Sequence, residues 1–298
     1  MVDLCLVISM PDRPAGRGKK LKSPPVIDYC RQHKIPFWQT ENINRDEDLQ
    51  KKLTDSGVDT FMVLAFAQFF TKKFISLPRK GAFNIHTSLL PKYRGAAPIQ
   101  YAILNGDEQT GVSIQTIVPK MDAGELVYHQ TVDISPQETG GRLYTRLKFR
   151  AALALNDFLY RLANDDLTYT SQDESQASYA PSLKKEDGWI DFEKDFPTTI
   201  LNQIRALQPW PGAFCYFNQK RLKVFSATRS ELSLMPGEVS LTENGPVVGT
   251  PTKSLLLNDI QLEGKKRLDG KTFASGYLSK NDHGDFFALD PRPEKKDK

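Results

Sequence analysis

Hydrophobic and polar positions alternate in blocks along the first half of the chain. Short continuous apolar runs, as in strands buried on both faces, alternate with stretches that repeat every three or four residues, as on one helix face. The predicted strands cover residues 4–9, 35–40, 60–65, 82–85, 112–118 and 126–134. The predicted helices cover residues 23–33, 46–56, 98–105 and 139–163. This order predicts an α/β fold with a doubly wound, mostly parallel sheet.

The pattern changes after about residue 167. Residues 168–186 are polar and weakly patterned, as expected of a linker, and residues 198–207 predict a helix. From residue 213 onward, short alternating runs are separated by turn residues. This second half predicts a small β-barrel or sandwich.

Composition excludes several classes of protein. The chain has 298 residues, a net charge of +4, 39% hydrophobic and 26% charged residues, which are ordinary for a water-soluble protein of two domains. No apolar run approaches a membrane span, and the N-terminus does not resemble a secretory signal. The three cysteines and four histidines form no close-spaced ligand pair, so we expect a reducing cytoplasm and no metal. Nothing in the sequence demands an oligomer, and we expect a monomer.

The segment from Phe83 to Gly95 carries the clearest chemical signal. A short apolar run ends in Asn84 and His86, and a polar loop stopped by proline follows. Residues i and i+2 of a strand project to the same face, so an amide and an imidazole would enter one site. Such a pair at the carboxyl end of a strand suits acyl-type chemistry, in which an oxyanion must be held. An isolated N-x-H motif of this kind is more often a strand end whose two polar side chains are hydrogen-bonded only to nearby backbone.

Asp122 adds a carboxylate to this interpretation. It belongs to Met121-Asp122-Ala123-Gly124-Glu125, which on its own predicts only a turn. Because the turn separates two predicted strands of one sheet, Asp122 can return to the sheet near His86. A carboxylate beside an imidazole orients the ring and favours its charged form. The sequence therefore predicts a proton-handling pair next to an amide donor.

A short basic stretch precedes the first predicted helix, and only Asp12 opposes it. Its members are Arg13, Arg17, Lys19, Lys20 and Lys22. The proline and glycine content of residues 11–18 predicts a loop. Such a stretch either binds an anionic partner or is simply a solvated run of charge. A phosphate-binding P-loop is excluded, because Gly16-Arg17-Gly18-Lys19 lacks the four-residue gap between its glycines.

Two motifs together resemble the formyltetrahydrofolate-dependent formyltransferase family. They are N-x-H-x-S-L-L-P at Asn84–Pro91, continued by Gly95 and Ala96-Ala97-Pro98-Ile99-Gln100, and D-x-G at Asp122–Gly124. Residues 11–21 resemble the insertion loop of the family's methionyl-tRNA branch, which contacts the tRNA acceptor end. Residues 204–213 resemble the start of that branch's C-terminal barrel. The resemblance runs from Val2 to at least Phe225.

The resemblance implies a domain organisation and a set of roles. It implies a Rossmann-like catalytic domain at 1–167, a linker at 168–186 and an OB-like C-terminal β-barrel that binds tRNA at 187–298. Asn84 would hold the formyl oxygen, and His86 would stabilise the oxyanion of the tetrahedral intermediate as imidazolium. Asp122 would pair with His86 and handle the proton that leaves the attacking amine. The folate pocket would be shaped by Ser88, Leu89, Leu90 and Pro91. The phosphates of the acceptor stem would be held by Arg13, Arg17, Lys19 and Lys20.

The chain departs from the family at its beginning. Family members start with a strand, which lies in the middle of the sheet and ends in a Gly-Thr-Pro loop near the active site, followed by a helix. This piece of roughly 25–30 residues is missing here, which would leave unpaired backbone groups on two neighbouring strands. A misplaced start, a cut chain and a naturally shortened relative are the three accounts, and the intact catalytic residues favour the first. A chain that really began at Met1 is expected to be weakly stable and poorly active.

The expected function is transfer of the formyl group of 10-formyltetrahydrofolate to the amino group of initiator methionyl-tRNA. This reaction serves translation initiation in the bacterial cytoplasm. Two alternatives remain open. One is a sugar-nucleotide N-formyltransferase, against which the basic loop argues, and the other is a truncated, inactive paralogue that only binds tRNA.

Overall fold

Strands and helices alternate through the first half of the chain, as the sequence predicts. The computed structural model describes residues 2–15, 18, 20–66, 68–217, 219–278 and 287–288. The strands of this half are β1 (Val7–Ser9), β2 (Arg13–Ala15), β3 (Lys20–Lys22), β4 (Phe37–Gln39), β5 (Thr60–Val63), β6 (Gly81–His86), β7 (Gln109–Thr116) and β8 (Leu126–Asp133). The helices are α1 (Pro25–His33), α2 (Glu47–Asp55), α3 (Lys72–Ile75), α4 (Pro98–Leu104) and α5 (Gly140–Ala163).

The strands of this half form a parallel pair and a mixed sheet. β1 and β4 pair in parallel, with α1 between them in the chain. The other sheet has the order β5-β6-β7-β8, in which β5 and β6 are parallel and β6 and β7 antiparallel. Parallel strands need a helical crossover, which explains the alternation seen in the sequence. The predicted α/β fold class is confirmed.

An apolar cluster beside β1, β4 and β5 explains why α2 forms. Asp46 caps α2 by accepting a hydrogen bond from the amide of Leu49, at 2.9 Å. Leu49 and Leu53, four residues apart, face inward and are buried with Ile43 and Phe74. The apolar periodicity of residues 46–56 therefore predicts the right buried face.

The described residues of the basic stretch form the two strands of a β-hairpin, so the predicted loop at 11–18 is wrong for residues 13–15. β2 and β3 pair antiparallel, with Arg13 opposite Lys22 and Ala15 opposite Lys20. A two-stranded ribbon tolerates the proline within β2, since both its edges are open. The hydroxyl of Ser23, just after β3, donates to Asp12, just before β2, at 2.8 Å. This bond ties the two ends of the hairpin together.

The second half of the chain forms a curled antiparallel sheet of the half-barrel type, as predicted. Its strands are β9 (Ala213–Phe217), β10 (Lys220–Arg229), β11 (Glu238–Thr242), β12 (Gly245–Val248), β13 (Leu255–Leu262), β14 (Leu268–Asp269) and β15 (Phe287–Ala288). Their order is β15-β11-β12-β13-β10-β9, with β14 added on β13. Helices α6 (Pro197–Ala206) and α7 (Gly270–Leu278) accompany the sheet, and α7 is not predicted from the sequence. The core includes Ile200, Val224 and Leu257.

Contacts along the chain divide it into two compact units. The first comprises Met1–Arg94, Val112–Gln130 and Arg150–Ala177. The second comprises Gly95–Gly111, Thr131–Phe149 and Ser178–Lys298. All the candidate catalytic and folate-site residues fall in the first unit, so the site is built from that unit alone.

Candidate active site

Strand alternation in β6 places Asn84 and His86 on one face. Phe83 and Ile85 project to the opposite face and are buried. The ring of Phe83 packs edge-on against Phe158 of α5, with centroids 4.8 Å apart. The apolar face of β6 is thereby anchored, and its other face presents an amide and an imidazole.

Asp122 lies next to both of these groups. Asn84 donates from Nδ2 to Asp122 Oδ1 at 3.3 Å, and Nδ1 of His86 lies 3.7 Å from Asp122 Oδ2. The side chains of His86 and Asp122 are only 7% and 13% exposed. The three residues expected to be catalytic therefore meet in one nearly dry place, although their roles stay predictions.

The orientation of the His86 ring follows from one backbone carbonyl. Nε2 of His86 lies 2.8 Å from the carbonyl oxygen of Tyr93, which can only accept, so Nε2 carries a proton and donates it. A neutral imidazole has a single N–H, which leaves Nδ1 unprotonated beside the carboxylate of Asp122. Any second proton enters at Nδ1. The distance of 3.7 Å to Asp122 exceeds a hydrogen bond, so Nδ1 of His86 faces the carboxylate without being hydrogen-bonded to it.

The geometry of the D-x-G turn explains its glycine. A Cβ at Gly124 would lie 1.7 Å from the carbonyl oxygen of Thr116 in β7. Next to it, the Thr116 amide donates to the Glu125 carbonyl at 2.9 Å, and the Glu125 amide donates to Thr116 Oγ1 at 2.9 Å. Only glycine permits this approach, and Asp122 itself adopts a left-handed φ of 51°.

The loop after β6 divides its four expected folate residues into two kinds. Ser88 and Leu90 are buried, and the Ser88 hydroxyl donates to the Lys92 carbonyl at 2.6 Å. Ser113 of β7 donates to the Ser88 carbonyl at 2.7 Å and accepts from the Leu90 amide at 3.2 Å. Leu89 and Pro91 are half-buried. Ser88 and Leu90 therefore build the loop, and Leu89 and Pro91 have surface left for a ligand.

Sequence reasoning missed four polar residues that support Asp122. They are Arg94, Gln115, Gln172 and Glu174. Gln115 donates from Nε2 to Asp122 Oδ1 at 2.9 Å, and Gln172 donates to the backbone carbonyls of Asp122 and Gly124 at 2.9 and 2.7 Å. Arg94 follows directly on the loop motif, which was the one available signal. Gln172 and Glu174 lie in the polar stretch predicted to be a linker, where nothing sets them apart.

Arg94 is completely buried and ion-paired with Glu174. Its Nη1 and Nη2 donate to the two carboxylate oxygens of Glu174 at 3.1 and 2.8 Å. Lys120 also contacts Glu174, with its Nζ 2.5 Å from Oε2. Hydrogen bonds from Arg94 and then Lys120 lower the pKa of Glu174 to about 2. The partner of the buried guanidinium is therefore ionised at any physiological pH.

The residues expected to bind tRNA lie on the hairpin, as far as they are described. Arg13 of β2 is exposed and pairs with Glu41 at 3.0 Å, and Lys20 of β3 is exposed. Arg17 and Lys19 lie outside the described residues. Within the described part of the chain, no cluster of three or more His, Cys, Asp or Glu side chains is arranged to hold a metal ion. None of the described helices is long and apolar enough to cross a membrane.

The sequence matches a known family along nearly its whole length. Residues 1–159 match the formyl transferase family, and residues 182–278 match the formyl transferase C-terminal domain. The methionyl-tRNA formyltransferase of Natranaerobius thermophilus is 40% identical over 281 residues, which cover 92% of this chain and 90% of that protein. The methionyl-tRNA formyltransferase of Geobacter metallireducens is 36% identical over 92% of this chain and 88% of that protein.

Solved structures show the same fold at low sequence identity. The sugar 3N-formyl transferase WlaRD, crystallised with dTDP and 5-N-formyl-THF, has a TM-score of 0.61 at 18% identity, over 88% of this chain and 99% of that chain. HypX from Aquifex aeolicus, in complex with tetrahydrofolic acid, has a TM-score of 0.60 at 18% identity, over 96% of this chain and 50% of that chain. With both regions matched and relatives of this identity, the chain belongs to the formyl transferase family.

Proposed function

We propose that this protein transfers the formyl group of 10-formyltetrahydrofolate to the amino group of methionine on initiator methionyl-tRNA. The observation that carries the proposal is the 40% identity to a methionyl-tRNA formyltransferase over 90% of that protein's length. Sugar formyltransferases share the fold at only 17–18% identity. The reaction belongs to translation initiation, so we place the protein in the bacterial cytoplasm.

The reaction needs an oxyanion holder and a proton carrier. The methionine amine attacks the formyl carbon, a C–N bond forms, and the formyl oxygen becomes an oxyanion. When the intermediate collapses, the bond between the formyl carbon and N10 of the folate breaks. The amine loses one proton and N10 gains one, so the net change requires no other reactant.

Asn84 and His86 are placed to hold the formyl oxygen. The Nδ2 of Asn84 has two N–H groups, and only one of them is needed for the bond to Asp122. When His86 is protonated, its Nδ1–H is the one not held by Tyr93. An amide and an imidazolium on one strand face then form two donors for one developing negative charge. In a nearly dry site such donors contribute about 3–4 kcal/mol each.

Asp122 is the group we assign to the proton. Its Oδ1 accepts from Asn84 and Gln115, and its Oδ2 faces His86. A carboxylate in this position stabilises the imidazolium and accepts the proton of the attacking amine, directly or through a water molecule. The same carboxyl then returns the proton to N10.

The folate would lie against the loop after β6. The relatives of known structure support this, since HypX is described with tetrahydrofolic acid and WlaRD with 5-N-formyl-THF. Leu89 and Pro91 are the half-buried members of the loop and would contact the folate. Ser88 and Leu90 would hold the loop in shape from behind.

The hairpin is the part we assign to the tRNA. Arg13, Lys20 and Lys22 are exposed on it, and Arg17 and Lys19 belong to the same stretch. Exposed basic side chains at this density would bind phosphates, and phosphate contacts position the acceptor stem without reading its sequence. We further assign residues 1–167 to catalysis and residues 187–298 to tRNA binding.

The test is a formylation assay with two acceptors. Purified protein is given 10-formyltetrahydrofolate and either charged initiator tRNA or a dTDP-linked amino sugar, and formylated product is quantified by chromatography. We expect product on the tRNA and none on the sugar. His86→Ala should abolish the transfer with little loss of tRNA affinity, because it removes the oxyanion donor and leaves the hairpin intact.

Two results would contradict the proposal. Product on the amino sugar alone would make the protein a sugar-nucleotide formyltransferase. Binding of tRNA with no turnover would make it an inactive paralogue. Arg17→Ala should weaken the use of tRNA and leave folate binding intact. Loss of folate binding in that variant would contradict the assignment of the hairpin to tRNA.

A further inference from the structure

The geometry points to Gln172 as a positioning residue for Asp122, at the centre of an unbroken line of side chains from Glu174 to the catalytic carboxylate. The line runs through Arg94, Gln172 and Gln115. This inference deepens the proposed function and rests on it, because there Asp122 carries the proton. Gln172 itself acts through Asp122 and touches no reacting atom in the assignment above.

Arg94 decides which way the Gln172 amide faces. Its Nε and Nη2 donate to Oε1 of Gln172 at 3.2 and 2.8 Å. A guanidinium only donates, so the oxygen of the amide must face it and the NH₂ group must face away. Arg94 is in turn fixed by two bonds to the ionised Glu174. The amide of Gln172 therefore has a single allowed orientation.

The NH₂ group of Gln172 faces three acceptors, two of which belong to the D-x-G turn. It lies 2.9 Å from the Asp122 carbonyl, 2.7 Å from the Gly124 carbonyl and 3.0 Å from Oε1 of Gln115. Two of these acceptors are the carbonyls on either side of Ala123. These two bonds fix the backbone of Asp122, whose φ of 51° is unfavourable without such support.

The third acceptor sets the orientation of Gln115. Because Oε1 of Gln115 accepts from Gln172, its Nε2 is turned to Asp122 Oδ1, to which it donates at 2.9 Å. A flipped Gln115 would place an amide oxygen against the carboxylate instead. Gln172 thus controls both the backbone of Asp122 and one donor to its carboxylate.

Gln172→Glu reverses the polarity of this line while keeping its size and its bond to Arg94. The glutamate has no N–H, so its outer oxygen would face the three acceptor oxygens. Gln115 relieves part of that repulsion only by flipping, which turns its own oxygen toward Asp122. In either case Asp122 loses support, while the contact between residue 172 and Arg94 persists.

The experiment compares Gln172→Glu with Gln176→Glu, which makes the same change of charge in the same segment. Gln176 is exposed and donates to Asp173. We expect the kcat of Gln172→Glu to fall about 100-fold, as for a misplacement of about 1 Å, with KM values for folate and tRNA within about twofold of wild type. Gln176→Glu should keep the wild-type kcat. Gln172→Met, which lacks both donors and charge, provides the comparison if the glutamate variant does not fold, and it should lose kcat in the same way.

A second measurement needs no substrate. The ¹⁵N resonance of His86 Nδ1, which faces Asp122, is recorded in histidine-labelled protein and assigned with His86→Ala. It should move in Gln172→Glu and stay in place in Gln176→Glu. A kcat within about threefold of wild type in Gln172→Glu overturns the inference, as does a lower kcat with an unmoved His86 resonance. If wild type does not formylate tRNA, the proposed function fails, and the resonance still decides whether Gln172 positions Asp122.

Discussion

Gly124→Ala should lower kcat by roughly 100-fold by displacing Asp122, two residues away. The substitution adds one methyl group and changes no charge and no hydrogen-bonding group. At this position the added Cβ would lie 1.7 Å from the carbonyl oxygen of Thr116 and 2.7 Å from its Oγ1. The nearest atom belongs to the backbone of β7, which is paired with β6, so the turn must move and the strand stays.

The size of the movement follows from the distances. Side-chain Cβ atoms essentially never approach another atom closer than 3.0 Å, so a contact of 1.7 Å must open by at least the difference, 1.3 Å. A misplacement of about 1 Å at a catalytic group costs roughly 100-fold in rate. That factor corresponds to about 2.7 kcal/mol of transition-state stabilisation. Overpacking of this kind also destabilises a fold by about 1–3 kcal/mol.

The assay is kcat for formylation of methionyl-tRNA, together with folate affinity and urea unfolding. Gly276→Ala is the matched control, because a Cβ at Gly276 in α7 meets nothing within 4 Å. We expect the control to retain activity and to gain up to about 1 kcal/mol of stability. A Gly124→Ala protein with wild-type kcat would refute the reasoning, since the turn would then tolerate the movement without displacing the carboxylate.

Three further predictions concern the surroundings of the site. Glu174→Gln should lower the free energy of unfolding above pH 4.5, and the difference from wild type should vanish as pH falls toward the lowered pKa of about 2; a pH-independent difference in urea titrations would contradict this. Ser113→Ala leaves the buried Ser88 carbonyl and Leu90 amide of the loop after β6 without their partner. The free energy of unfolding should fall by about 1–3 kcal/mol and folate should bind more weakly, which urea denaturation and folate titration will check. Lys20→Ala should reduce the slope of log K for tRNA against log salt by about one, whereas Lys51→Ala on α2 should leave it unchanged; equal slopes would contradict the hairpin assignment.

The long elements of the fold could be predicted from the sequence because each buries a regular face. The periodicity of α2 and α5 and the apolar run of β6 report directly on burial, whereas the residues of β5 are only half-buried. The hairpin of β2 and β3 has no such apolar pattern, since it is exposed and contains proline and glycine. α3 has only four residues, fewer than the window in which a helical period can be recognised.

The candidate site could be predicted only for residues that share a short motif. Asn84 and His86 are two residues apart on one strand, and the turn at Asp122 is marked by its glycine. Gln115 and Gln172 are 57 residues apart and meet through one hydrogen bond. No local pattern distinguishes a glutamine that donates to a catalytic turn from one that faces solvent. Such residues become visible only when the chain is folded.

Asp122 illustrates how several weak constraints fix one catalytic atom. A non-glycine residue in the left-handed region costs about 1–2 kcal/mol and persists only where its surroundings demand it. Here two contacts constrain the turn that contains Asp122. Gly124 packs against Thr116, and Gln172 donates to the carbonyls of Asp122 and Gly124. Both constraints act on the backbone, and neither involves a substrate. The carboxylate therefore faces His86 before anything binds, and the reaction need not supply the energy of turning it there.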